Sequence, residues 1–268
     1  MTKCKGLLLA SAFFCAAFCL DTASTASDQL KIRIGNEPSY PPFVITNPDG
    51  TMTGLEIDLV KEVCIRAKAD CTYKSMDFSG LLPALITGKI DLIAENLLQT
   101  PERKSKALFT REVVYNPSVI VVPASWTGGF TNNDLSGKRI GVFKGSGQLV
   151  MVNEVIKTAV PVTYESLDQM AIDIQAGRID GILVGKLDLT QRFMEGANAG
   201  KYKLSDREFF LPGLEDKGSV WVVRKGADRT LQTVNDALNS MIADCTYTKI
   251  RKKYTNIKML RDEPARCQ

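Results

Sequence analysis

The chain has 268 residues, 44% hydrophobic and 24% charged, and its 34 lysines and arginines against 30 aspartates and glutamates leave a net charge of +4. These proportions belong to a folded globular protein. They exclude a disordered, collagenous or coiled-coil chain, and the small charge argues against an electrostatic nucleic-acid footprint. Histidine is absent, which removes Ser-His-Asp and Cys-His nucleophiles and His-bearing zinc sites, so neither a metal nor a cofactor is expected.

The chain opens with Lys3 and Lys5, an apolar run from Leu7 to Leu20 and the small polar stretch Ser24-Thr25-Ala26. A basic start, a short apolar stretch and a small-x-small site predict an export signal over residues 1–26, cut after Ala26. A lipoprotein anchor on Cys15 or Cys19 competes, but Phe14 and Phe18 stand where a small residue is needed. Beyond the signal four cysteines remain, Cys64, Cys71, Cys245 and Cys267. An even number in an exported chain reads as disulfides with three connectivities, and local proximity favours Cys64–Cys71 with Cys245–Cys267.

Lys31–Gly35 reads as a strand running into a Pro-rich loop that carries Glu37 and Tyr40. Apolar residues at Leu55, Leu59, Val63 and Ala67, with a second row at Ile57, Val60 and Cys64, predict a helix with a wide buried face. Strand Thr72–Ser75, helix Phe78–Gly88 and strand Asp91–Ala94 follow, with Gly88 as the helix stop. Thr100 reads as an N-cap with Pro101 at the first helical position, which sets Arg103 in the first turn. A guanidinium beside free helical N–H groups suits a carboxylate ligand.

The same grammar then restarts. Lys138–Phe143 is a strand, Gln148–Lys157 a helix and Val160–Tyr164 a strand; helix Ser166–Ala176 ends at Gly177, and strand Asp180–Val184 closes the unit. The turn Lys144-Gly145-Ser146-Gly147-Gln148 lets backbone N–H groups point inward as an anion nest. Strand Ser219–Arg224 and helices Ala227–Ala243 and Tyr247–Tyr254 complete the chain. Such alternation predicts the α/β class, with parallel sheets covered by helices. Val119–Pro123 and Ser219–Val223 bracket the second unit. As crossing strands they divide the chain into lobe one, residues 27–120 with 219–268, and lobe two, residues 121–218. A ligand cleft is then expected between two facing sheet edges, closed by a hinge.

Gly54-Leu-Glu-Ile-Asp58-Leu-Val-Lys-Glu-Val63-Cys64, then Gly88-Lys-Ile-Asp91 and Thr100-Pro-Glu-Arg103, resemble the amino-acid class of periplasmic substrate-binding proteins of ABC importers. Lys138-Arg-Ile-Gly-Val142, Ala176-Gly-Arg-Ile-Asp180, Gly-Ser-Gly-Gln148 and Cys245-Thr-Tyr-Thr-Lys-Ile250 extend the resemblance over about residues 31–256. It is strongest to the lysine/arginine/ornithine- and histidine-binding proteins, whose disulfide has the spacing of Cys64 and Cys71, and extends to related opine-binding proteins. The resemblance implies a two-lobed periplasmic binding protein fold with two crossing segments as hinge. It further implies a soluble, monomeric receptor that passes its ligand to a permease in the inner membrane and binds no nucleic acid.

Site roles carry over with the resemblance. Arg103 matches the residue that grips the ligand carboxylate, helped by the backbone at Leu98 and Gly147. Tyr40 and Phe78 match the aromatics that sandwich the side chain, and Phe143 an apolar wall. Glu37 matches the acid that meets a distal cation, and Gln148 a polar contact from lobe two beside Ser146. Two departures stand out. The family's Ser-Ser-Leu-Ser run is Glu95-Asn96-Leu97-Leu98 here, so Leu98 replaces a hydroxyl that meets the α-ammonium. Gly185 falls where an aspartate meets the same group, although Asp188 lies nearby. The expected ligand is therefore a carboxylate-bearing amino acid or derivative. One class is a basic amino acid with a substituted or missing α-ammonium, as in an opine, with Gly185 leaving room for the extra branch; the other is an ordinary amino acid whose ammonium Glu95 holds. A competing function is a dehydratase of the cyclohexadienyl type on the same scaffold, with Glu95, flanked by Arg103, as its acid or base. A dry pocket raising the Glu95 pKa would favour the enzyme, and adjacent cations the receptor.

Overall fold

The computed structural model describes residues 29–215 and 217–268; the expected signal, with Cys4, Cys15 and Cys19, lies outside the described residues. From the start run strand β1 (Lys31–Asn36), the small hairpin β2 (Ile45–Thr46) and β3 (Met52–Thr53), helix α1 (Leu55–Ala67), β4 (Asp70–Ser75), α2 (Phe78–Ile86), β5 (Leu92–Leu97), α3 (Pro101–Lys106) and β6 (Ala107–Val114). After a short crossing come β7 (Ser118–Pro123), β8 (Arg139–Phe143), α4 (Gly147–Glu154), β9 (Val160–Tyr164), α5 (Leu167–Gln175), β10 (Gly181–Gly185), the single turn α6 (Lys186–Asp188) and β11 (Tyr202–Leu204). The chain then returns as β12 (Ser219–Arg224), α7 (Asp228–Ala243) and α8 (Thr246–Arg251).

Two five-stranded sheets result, ordered β4-β1-β5-β12-β6 and β11-β7-β10-β8-β9, one in each lobe. Both carry helices on two faces, which is why their strands are apolar throughout rather than alternating. In β7, Ile120 and Val122 pack with Met151 and Val152 of α4. Val119 and Val121 point the other way, onto Leu167, Met170 and Ile174 of α5. In the first lobe Leu59 and Val63 of α1 join Ile32 and Ile34 of β1, Trp221 of β12 and Tyr247 of α8. Gly54 sets the entry to α1 at φ 120°, with its bare Cα against the Phe43 carbonyl. Only glycine suits that conformation and that contact.

Two expectations need correction. The sheets are mixed, not parallel: β12 runs antiparallel to both β5 and β6, and β7 antiparallel to β10. A strand entering from the other lobe arrives from the opposite direction, so it cannot continue the βαβ sense. The apolar runs also do not cross between lobes. Residues 118–120, expected in lobe one, pair in the second sheet within β7, and β12 pairs wholly in the first. The chain passes between sheets at 115–117 and again after β11, and Pro117, with no N–H to give, separates β6 from β7.

Cys64 is bonded to Cys71, tying the end of α1 to β4, and Cys245 to Cys267, tying the α7–α8 junction to the C-terminal tail. Closing a loop of this length restricts mainly the unfolded chain. Replacing Cys245 and Cys267 together by serine is expected to cost about 2–4 kcal/mol, read as a lower urea midpoint; an unchanged midpoint would mean the tail bond adds nothing.

Candidate functional site

A cavity opens where the two lobes face each other, its wall drawn from both. The first lobe contributes Glu37, Tyr40, Phe78, Glu95, Asn96 and Ser219 to its wall; the crossing segment contributes Asn116; the second lobe contributes Phe143, Ser146, Gln148, Val184, Gly185 and Asp188. Asn116, Val184 and Ser219 were not expected. Asn116 and Ser219 lie at the two crossings, whose position became visible only with the sheet pairing, and Val184 pairs with Val119 of β7. Among the described lining residues there are three carboxylates and no lysine or arginine.

Aromatic rings bound the cavity from both lobes. Tyr40 stacks on Phe43 at 5.5 Å between centroids and meets Phe143 edge-on at 5.9 Å, and Phe78 lies 6.5 Å from Phe143. The Tyr40 hydroxyl donates across the lobes to Asp188 Oδ2 at 2.7 Å. Burial, then the Asp188 carboxylate, holds that hydroxyl well above the usual tyrosine range. Asn116 fixes the same corner: its Nδ2 donates to Asp188 Oδ2 at 3.3 Å and its Oδ1 accepts from Leu187 N at 2.9 Å. Both polar atoms of the Asn96 amide are buried in the wall without a protein partner, ready for a polar group of a ligand.

Glu95 lies within a strand, because β5 continues three residues past its expected end at Ala94. Its Oε1 accepts from Glu37 N at 2.7 Å. Behind it stands Glu56, fully buried in the first turn of α1, with its Oε1 accepting from Trp221 Nε1 at 3.2 Å. Each of the two carboxyls shifts the pKa of the other. Burial pushes Glu56 up to about 8, and burial followed by the charges of Glu56 and Glu37 pushes Glu95 well above the carboxylate range. Glu56 was missed as a site residue. The signal for it was an acid between Leu55 and Ile57 on a helix whose first turn is buried all round.

Arg103, Leu98 and Gly147 are not on the cavity wall. The Arg103 N–H donates to Thr100 Oγ1 at 3.3 Å, as the cap predicts. Its guanidinium, 4% exposed, donates to the Leu98 carbonyl at 2.8 Å and to the Gly145 carbonyl of the other lobe at 3.0 Å. It sits 5.6 Å from the Phe78 ring centroid, and burial lowers its pKa to about 10. The expectation that Arg103 flanks Glu95 is thus not met; the neighbours of Glu95 are Glu56 and Glu37. Leu98 and Gly147 touch each other instead of the cavity: a Cβ on Gly147 would come 2.8 Å from Leu98 Cβ. Ser146 caps α4 by accepting from Leu149 N at 3.1 Å, and Gln148 Nε2 donates to Ser118 Oγ at 3.0 Å.

Gly185 lines the cavity, and the Asn116 amide and the Asp188 carboxylate are the first atoms a Cβ there would meet. The single turn α6 swings Asp188 back over Gly185, so lobe two does present a carboxylate at this corner, supplied three residues later in the chain.

Residues 32–257 match the model of the bacterial extracellular solute-binding proteins, family 3. The histidine-binding periplasmic protein of Salmonella typhimurium is 34% identical over 245 residues, covering 89% of this chain and 92% of that protein. The lysine/arginine/ornithine-binding periplasmic protein of Escherichia coli is 31% identical over 252 residues, covering 91% and 95%. Among solved structures, an ancestral arginine-binding protein bound to glutamine superposes with a TM-score of 0.75 at 29% identity, over 85% of this chain and 98% of that one.

Proposed function

The chain belongs to the bacterial extracellular solute-binding proteins, family 3, and we propose that it is the periplasmic receptor of an ABC importer for a cationic, carboxylate-bearing solute. The solute is a basic amino acid or an N-substituted derivative of one, captured between the lobes and delivered to an inner-membrane permease. The observation that carries this reading is the set of three carboxylates, Glu37, Glu95 and Asp188, on one aromatic-bounded cavity. A cation desolvated there gains partners that a neutral or acidic solute lacks, and an acidic one would be repelled. The relative named for lysine, arginine and ornithine, whose side chains are cations, agrees in ligand charge. Asp188 offers an anion to an α-ammonium despite Leu98 and Gly185, so the unsubstituted basic amino acid ranks ahead of the opine.

A ligand that binds only the folded state raises its melting temperature by mass action. Arginine, lysine, ornithine and histidine, tested beside octopine, nopaline and glutamate, are expected to separate by charge, with at least one cationic solute stabilising the protein and glutamate leaving it unchanged. A melting temperature that responds to glutamate alone would reverse the ligand charge.

One observation favours a second reading. Glu95 is 1% exposed, and burial followed by the charges of Glu56 and Glu37 raises its carboxyl pKa, the direction a general acid needs. A dehydratase of the cyclohexadienyl type would aromatise a cyclohexadienyl carboxylate, which the new ultraviolet absorbance of the product reports. No absorbance change above the uncatalysed rate leaves the receptor reading alone.

A further inference from the structure

We propose that Glu56 and Glu95 form a proton-exchange site: the empty receptor keeps one proton between the two carboxyls, and the cationic group of the ligand expels it on binding. The inference rests on the cationic-ligand reading above and adds the means by which the charge is accommodated.

The geometry requires a proton. Glu56 and Glu95 are 0% and 1% exposed. One oxygen of each is served by a fixed donor, Trp221 Nε1 at 3.2 Å for Glu56 and Glu37 N at 2.7 Å for Glu95. The remaining oxygens, both Oε2, are buried and receive no N–H or O–H from the protein. The two side chains bear directly on each other, and two anions so deeply buried side by side would repel. The other titratable groups bearing on the pair are Glu37 and Tyr40 from the loop after β1, Asp188 from α6 and Tyr247 from α8, none of them a cation. Of the pair only Glu95 reaches the cavity wall; Glu56 lies behind it as a positioning residue and proton holder.

The exchange balances. An N–H of the ligand cation donates to Glu95, the O–H bond between the carboxyls breaks, and the proton leaves to solvent, so one positive charge replaces another. With both groups raised, by burial first and mutual repulsion second, the empty site stays protonated at neutral pH, whereas a bound cation favours the ionised pair. The sign follows from linkage. Binding releases a proton, so affinity grows as pH rises and fades as pH falls, by up to about tenfold per pH unit for one proton.

Calorimetry of L-arginine, and of octopine, in phosphate and in Tris near neutral pH reads the proton directly, because the heat of buffer ionisation adds to the heat of binding. The expected result is a buffer-dependent heat equivalent to about one proton released, with affinity rising about tenfold per pH unit across mildly acidic to neutral pH. Glu56→Gln keeps the acceptor for Trp221, offers an amide N–H to Glu95 and removes the repulsion from Glu56; it is expected to bind with a smaller buffer-dependent heat and a shallower pH profile than wild type. Wild-type binding with no proton released, or a Glu56→Gln variant that releases as much as wild type, overturns the proposal and leaves the ligand reading standing. No heat from either cationic probe in any buffer removes both.

Discussion

Arg103→Ala is expected to weaken ligand binding by roughly 2–5 kcal/mol, the range for losing one member of a desolvated charged contact. The guanidinium is buried and spans the lobes, giving one N–H to Leu98 and one to Gly145. A guanidinium has five N–H donors, and in the proposed complex the others turn to the ligand carboxylate past the edge of Phe78, which borders both the cavity and the recess holding Arg103. Its removal takes the donor from the Gly145 carbonyl, while Leu98 O still accepts from Thr100 N at 2.9 Å; it also loosens the closed arrangement and takes away the carboxylate partner. Arg103→Lys should restore little, because a single ammonium cannot reach two carbonyls and a carboxylate in one plane. Titration calorimetry on the three proteins measures the effect. Wild-type affinity in Arg103→Ala would mean that the carboxylate anchor lies elsewhere.

Asp188→Asn should have an effect of similar size, roughly 2–5 kcal/mol, since it removes an anion from the cavity while keeping its shape. Asp188 gathers the Tyr40 hydroxyl and the Asn116 amide, so it serves both the proposed ligand ammonium and the contact between lobes. Tyr40→Phe separates the two roles. It removes only the interlobe hydrogen bond and is expected to cost about 1 kcal/mol. Equal affinity losses in Asp188→Asn and Tyr40→Phe would reduce Asp188 to a latch with no part in holding the cation.

Elements whose cause is local were legible in the sequence. The two apolar rows of α1 gave its bounds, Leu55–Ala67, and Thr100 caps α3 through Arg103 N as its residue type predicts. Strand β6 was not foreseen, because Thr110-Arg111-Glu112 interrupts its apolar pattern and its order comes from pairing with β12 over a hundred residues away. The extension of β5 through Glu95 and Asn96 has the same origin: polar residues end the pattern, but Leu97 still pairs with Val220.

In the site, most of the wall could be named beforehand because it hangs on strand ends and loops. What could not be read were contacts that depend on how one lobe meets the other. Asp188 folding over Gly185, Leu98 closing on Gly147 and Arg103 reaching the Gly145 carbonyl are all of this kind. Glu56 escaped for a different reason. An acid in a first helical turn usually faces water and complements the helix dipole, whereas here α1 buries that turn and Trp221 and Glu95 receive the carboxyl.

The central claim is that the cavity between the lobes selects a cation bearing a carboxylate. Titration calorimetry of the wild-type protein with L-arginine, octopine and L-glutamate at one pH and salt concentration tests it most directly. Saturable one-site binding of arginine or octopine is expected, with no measurable heat from glutamate. Tight binding of glutamate, with neither cationic solute engaged, would contradict it.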